Sequence, residues 1–192
     1  MSQWFIYGIA AFVMFTTLHD GIWGGNLQKS LAILRRIRPW MIIQNTLVLV
    51  FVVMVSMLLN SLPVLGWGWW QLLDSSTEAG GQNAIMASTS LPIVGPIFLV
   101  VLFFAMPRLA EYEEELFREG TANWKSGVKR SIVFGLVHCI MGVSIGVGLA
   151  LSICGLWFTH QYFKGGVIRS TSYHAAWNLA IVSLVIITLL TV

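Results

Sequence analysis

The sequence predicts an all-α polytopic membrane protein: about six transmembrane helices in one domain, residues 1–192, with a polar site on the cytosolic half. Three observations predict it. Hydrophobic residues make up 57% of the chain and charged ones 10%, with mean hydropathy +0.80, a balance that excludes an ordinary soluble domain. Apolar runs near the length a bilayer demands recur along the chain. All eleven Lys and Arg fall in three segments, 19–40, 107–130 and 159–170. Six crossings put those segments on one face, which the positive-inside rule makes cytosolic, with both termini outside. Nothing in this pattern suggests a nucleic-acid partner.

The first span covers residues 4–18. No cation precedes it, so it lacks the basic flank of a cleavable signal peptide and is expected to stay as a permanent helix. Residues 19–40 carry Lys29, Arg35, Arg36 and Arg38, with Leu31, Leu34 and Ile37 at helical spacing, a pattern for a segment lying along the headgroups. His19 and Asp20 open it and fit helix-end capping better than a site. Residues 41–59 form the cleanest span, interrupted only by Gln44, Asn45, Thr46 and Ser56.

Residues 60–90 read as a loop rich in Gly, Ser and Thr, charged only at Asp74 and Glu78. Trp67, Trp69 and Trp70 fit an interfacial aromatic belt. A further span begins near residue 91 and continues as helix through the glutamates to about 119, with a kink or break expected at Pro107. Residues 121–130 read as a basic connection. The run 131–158 would be about 42 Å long as one helix, too long for a core of about 30 Å. The alternatives are one tilted helix with a glycine packing face, or two short helices, 131–141 and 143–158, turning near Gly142. The second is favoured, because only the split keeps Lys164 and Arg169 on the basic face. A polar connection, 159–170, with His160 in the headgroups, then precedes the last span, 171–192. Cys139 and Cys154 fall in apolar runs and read as core-packing residues.

The chemistry gathers in residues 107–192, behind N-terminal spans in 4–60. Glu111, Glu113, Glu114 and Glu115 sit on one helix end, where charges near membrane depth are costly unless they face a cavity or do chemistry. Glu114 stands four residues before Arg118, so the two can pair within the helix. Glu113 then projects about 100° away and is free to face a site. Phe134 with His138, and His174 with Asn178, are also four apart. Counted from the basic face, Glu113, His138 and His174 come to a similar depth of about 8–12 Å. A carboxylate and imidazole to activate water, with donors for an oxyanion, is equipment for cutting an amide.

Glu113-Glu114-x-x-x-Arg118, Phe134-x-x-x-His138 and His174-x-x-x-Asn178, in that order, resemble the three motifs of the CAAX protease and bacteriocin-processing family of intramembrane endopeptidases. The resemblance covers residues 113–178, about a third of the chain. It implies Glu113 and His138 as water activators, His174 and Asn178 as oxyanion donors, and Glu114 and Arg118 as helix-holding residues, with Phe134 supporting. It implies a membrane-associated peptide or protein substrate and no cofactor. Glu119 departs from the glycine that members often carry after the arginine, and Glu115 adds a third consecutive acid.

Two rivals remain open at this point. One keeps the fold and adds zinc on Glu113, His138 and His174, a His₂Glu set, although no H-E-x-x-H helix is present. The other is a non-catalytic membrane partner, such as a bacteriocin-immunity or scaffold protein. A transporter is disfavoured, since the polar residues cluster on one side and no inverted repeat is visible. The short loops point to a prokaryotic plasma membrane.

Overall fold

The computed structural model of the chain describes residues 3–72 and 94–191, and among them every regular element is a helix. In order these are α1 (Gln3–Gly21), α2 (Asn26–Leu34), α3 (Pro39–Asn60), a 3₁₀ turn at Trp69–Leu72, α4 (Val94–Arg118), α5 (Trp124–Val137), a 3₁₀ turn at His138–Met141, and a helical run Ile145–Thr191. Three stretches are long and apolar enough to cross a membrane: Pro39–Asn60, Gly95–Arg118 and Ile145–Thr188. One flank of α3 leaves Ile43, Leu47, Met54 and Met57 exposed, an apolar surface suited to lipid rather than water.

The last of these stretches is two helices. Gly165 and Gly166 leave helical dihedrals. The rings of Trp157 and Tyr173 lie 5.7 Å apart, and those of Phe158 and His174 4.4 Å apart. Each pair is sixteen residues apart in sequence, which a straight helix would separate by about 24 Å. The chain therefore folds back at the two glycines into a hairpin of α6 (145–164) and α7 (167–191). The expected polar connection 159–170 is instead helix, interrupted at two residues. Part of its polar content is absorbed by packing, since Thr159, Gln161 and Ser170 are buried, while Lys164 stays exposed.

The run 131–158 does split at Gly142, which adopts φ 98°. The first helix, however, starts at Trp124, inside the expected basic connection. Asn123 caps it: its side chain accepts from the Ser126 backbone while Ser126 Oγ answers the Asn123 N–H. Fourteen residues of α-helix and four of 3₁₀ rise about 29 Å together, enough for a hydrocarbon core. The glycine packing face exists as well, between α5 and α6. Gly127 abuts Thr159, Gly155 abuts Ser131, and a Cβ on Gly135 would lie 2.2 Å from the Gly148 carbonyl oxygen. Small residues let the two backbones approach this closely.

Other boundaries move for local reasons. α4 continues through Pro107 without the expected break, and the Arg108 N–H beside it donates to Ser30 Oγ at 3.2 Å. That bond comes from α2, whose buried face is Ser30 and Ile33 rather than Leu31. The tryptophan segment does more than anchor. The carbonyls of Leu65 and Trp67 accept from the first N–H groups of α6, at Gly146 and Ile145, and Trp69 Nε1 donates to the Cys139 carbonyl at 2.8 Å. Asp74 and Glu78 lie outside the described residues. On the opposite side of the hairpin, α3 is tied in by Asn45, buried, which donates to the Tyr173 carbonyl at 2.7 Å and accepts from Trp157 Nε1 at 2.9 Å.

A candidate active site around His174

The acidic end of α4 sorts its carboxylates by face. Glu111 pairs with Arg108, whose guanidinium lies 3.7 Å from the Tyr112 ring centre. Glu115 is exposed. Glu114 and Arg118, one turn apart, point into the bundle, where both side chains are 0% exposed, with Nε 3.7 Å from Oε2. Arg118 also donates to the Gly155 carbonyl at 3.3 Å and lies 4.4 Å from the Phe134 ring centre.

Glu114 has a second partner that sequence spacing did not suggest. His174 Nδ1 lies 2.9 Å from its Oε1. A carboxylate accepts, so the Nδ1 proton is held there and the ring orientation is fixed. Phe158 stacks on the imidazole at 4.4 Å and 20°, and Phe134 meets it edge-on at 5.5 Å. The other ring nitrogen, Nε2, faces Glu113, whose Oε2 is 3.7 Å away and whose side chain is 36% exposed. One imidazole is thus gripped on its buried side by Glu114 and approached on its open side by Glu113. Among the buried atoms, Glu114 Oε2, Arg118 Nε and Nη1, and Thr171 Oγ1 have no hydrogen-bond partner. The network therefore has spare polar capacity beside the site.

Asn178, one turn beyond His174 on α7, is half-buried and makes no hydrogen bond to a described residue. Its amide is available to a ligand. His138 is placed differently from the expected common depth. Because α5 starts early, His138 sits at its far end, one turn past Phe134, which is the residue level with His174. Its Nδ1 donates to the Phe134 carbonyl at 2.8 Å, and its ring meets the Phe134 ring at 4.9 Å. No hydrogen bond, ion pair or ring contact joins His138 to Glu113, His174 or Asn178.

The zinc arrangement needs Glu113, His138 and His174 around one ion, and among the described residues no three His, Cys, Asp or Glu side chains are grouped to hold a metal. His19 and Asp20 bond to each other at 2.7 Å on the exposed end of α1, in keeping with a helix-end role. Cys139 and Cys154 are both free, the second buried. His160 lies in the last turn of α6, stacked against Trp124 and Trp157. It lines a groove of about 560 Å³ between α3, α5 and α6, which none of Glu113, His174 or Asn178 lines.

Comparison with known protein families, curated proteins and solved structures finds no match for this chain.

Proposed function

We propose that the chain is an intramembrane endopeptidase that hydrolyses a peptide bond of a membrane-associated protein or peptide, using water activated at Glu113 and His174. The observation that carries the reading is the double grip on His174. With the Nδ1 proton directed to Glu114 at 2.9 Å, a neutral ring presents its Nε2 lone pair toward Glu113. The 3.7 Å between Nε2 and Oε2 exceeds a hydrogen bond and suits one water bonded to both. That is the logic of a base oriented by a third group.

In the proposed reaction that water attacks the scissile carbonyl and Glu113 takes its proton. The Asn178 amide donates to the oxyanion, and the proton passes to the leaving amine as the C–N bond breaks. Within this scheme His174 holds the water, a role its tautomer suits better than the oxyanion-donor role the motif resemblance implies. His138, across the Phe134 ring, is then left to contact substrate. The order of the three motifs, resembling the CAAX protease and bacteriocin-processing family, supports the same reading. So does the one-sided placement of Lys and Arg, which favours six crossings with the site opening to the cytosol of a prokaryotic cell.

The test is cleavage of a set of membrane-tethered reporter peptides by the reconstituted protein. Glu113→Gln is expected to abolish cleavage while leaving thermal stability within about 0.5 kcal/mol, the usual range for a partly exposed substitution. Cleavage at the unchanged rate overturns the proposal, and so does a wild-type protein that binds these peptides without cutting any.

A further inference from the structure

We propose that the groove between α3, α5 and α6 is a binding site for an anionic phospholipid, with one acyl chain in the groove and the headgroup at its basic mouth. The groove lies apart from the His174 site. Its walls are Leu47 and Phe51 from α3, Trp124 and Val128 from α5, and Trp157 and His160 from α6, bordering an open trough of about 560 Å³. That volume falls within the range of ordinary small-molecule sites. The α3 wall belongs to one of the three helices apolar enough to cross a membrane, and Leu47 and Phe51 are exposed on it. The groove therefore opens sideways into the hydrocarbon.

What distinguishes it from ordinary lipid-facing surface is one end. His160 stands between the indoles of Trp124, at 6.2 Å, and Trp157, at 5.8 Å, and its ring nitrogens make no hydrogen bond to a described residue. Two tryptophans beside a polar group are the composition of a membrane–water interface. One turn further out on the same helix faces stand Lys164, four residues after His160, and Lys125, three residues before Val128. Both are exposed, and neither forms an ion pair with a described residue. Lys164 and Arg169 both lie within electrostatic reach of His160. An apolar trough ending in an imidazole and unpaired ammonium groups is complementary to an acyl chain ending in a phosphate. Lysines can snorkel to such a headgroup from the helix end.

Photolabelling in nanodiscs tests this with a phosphatidylglycerol carrying a diazirine on its acyl chain, against its phosphatidylcholine counterpart. Adducts on peptides containing Leu47, Val128 or Leu156 are expected to favour phosphatidylglycerol. A lysine at an anionic headgroup contributes about fivefold, so Lys125→Gln with Lys164→Gln is expected to cut the preference roughly 25-fold. Lys29→Gln, exposed on α2, is expected to leave it unchanged. Val128→Trp, at a position 41% exposed, fills the trough without disturbing the core and is expected to remove labelling by both lipids. Equal labelling by the two lipids overturns the proposal, reducing the groove to unspecific lipid contact. Displacement of the label by a farnesylated peptide but not by unlabelled phosphatidylglycerol overturns it too, assigning the groove to substrate.

Discussion

His174 Nδ1 lies 2.9 Å from Glu114 Oε1, and the other oxygen of that carboxylate lies 3.7 Å from Arg118 Nε. One fully buried glutamate thus joins α4 to α7 and, through Arg118 and the Gly155 carbonyl, to α6. The arrangement makes Glu114 a structural residue and a positioning residue together. Glu114→Gln leaves a buried guanidinium without its counter-charge, a change that typically costs about 3–5 kcal/mol. Thermal unfolding of the purified variant is expected to show that loss. At temperatures where the variant stays folded, cleavage is also expected to fall, because an amide can offer Nδ1 either a donor or an acceptor and no longer fixes the tautomer. Arg118→Met combined with Glu114→Gln is expected to be more stable than Glu114→Gln alone, since it removes the stranded charge. A double variant no better than the single one would show that the pair contributes little.

The two histidines are expected to separate in their kinetics. His174 is held between two carboxylates, whereas among the described residues the hydrogen bond and ring contact of His138 are both to Phe134. His174→Ala is expected to remove cleavage altogether. His138→Ala is expected to raise KM while leaving kcat within about tenfold, the pattern of a group that contacts substrate. Asn178→Ala, losing one oxyanion donor, is expected to lower kcat about 10²–10³-fold and remain measurable. Equal and total loss in His138→Ala and His174→Ala would return His138 to water activation.

Much of this site is written in local spacing, and what is not local is missing from it. Glu114 with Arg118, and the divergence of Glu113, follow from one helical turn and were legible. The Glu114–His174 bond spans sixty residues, and nothing in either motif announces it. One signal could have found the neighbouring contact. Phe158 and His174 lie eight residues either side of Gly166, so treating Gly165-Gly166 as a hairpin turn brings those two rings together. A polar composition in 159–170 hid that turn, because polar residues in a membrane helix can be buried against other helices as readily as exposed in a loop. The early start of α5 was similarly masked by Lys125, Lys129 and Arg130, although Asn123 and Ser126 have the spacing of an N-terminal cap. That shift is what moved His138 away from the depth of His174.

Two glycines hold this geometry for different reasons and are expected to fail differently. Gly166 adopts φ 68° and ψ −168°, a region essentially closed to other residues, yet a Cβ there would meet nothing within 4 Å. Gly166→Ala is therefore expected to cost about 1–3 kcal/mol through backbone strain alone. Gly135→Ala has no such backbone demand but drives a Cβ to 2.2 Å from the Gly148 carbonyl. Separating α5 from α6 to relieve it is expected to cost a comparable 1–3 kcal/mol and to lower cleavage, since Phe134 moves off His174. With no shared neighbours, the two losses in unfolding experiments are expected to add. Strong non-additivity would mean that the hairpin turn and the α5–α6 contact form one coupled unit.

Orientation rests on the positive-inside rule, but the fold supplies two reporters at opposite ends of the bundle. Val64 follows α3 and is 75% exposed. Its segment is fastened to the Gly142 turn by the Trp69–Cys139 and Leu65–Gly146 hydrogen bonds. Lys125 is exposed in the first turn of α5, a whole α5 and 3₁₀ length, about 27 Å, from that turn. The free Cys139 and Cys154 are replaced by alanine in both reporters. In that background, Val64→Cys is expected to react with an impermeant maleimide on intact cells, and Lys125→Cys only after permeabilisation. The opposite pattern would turn the basic face outward and open the His174 site to the outside. Labelling of both on intact cells would mean that α5 does not cross the bilayer.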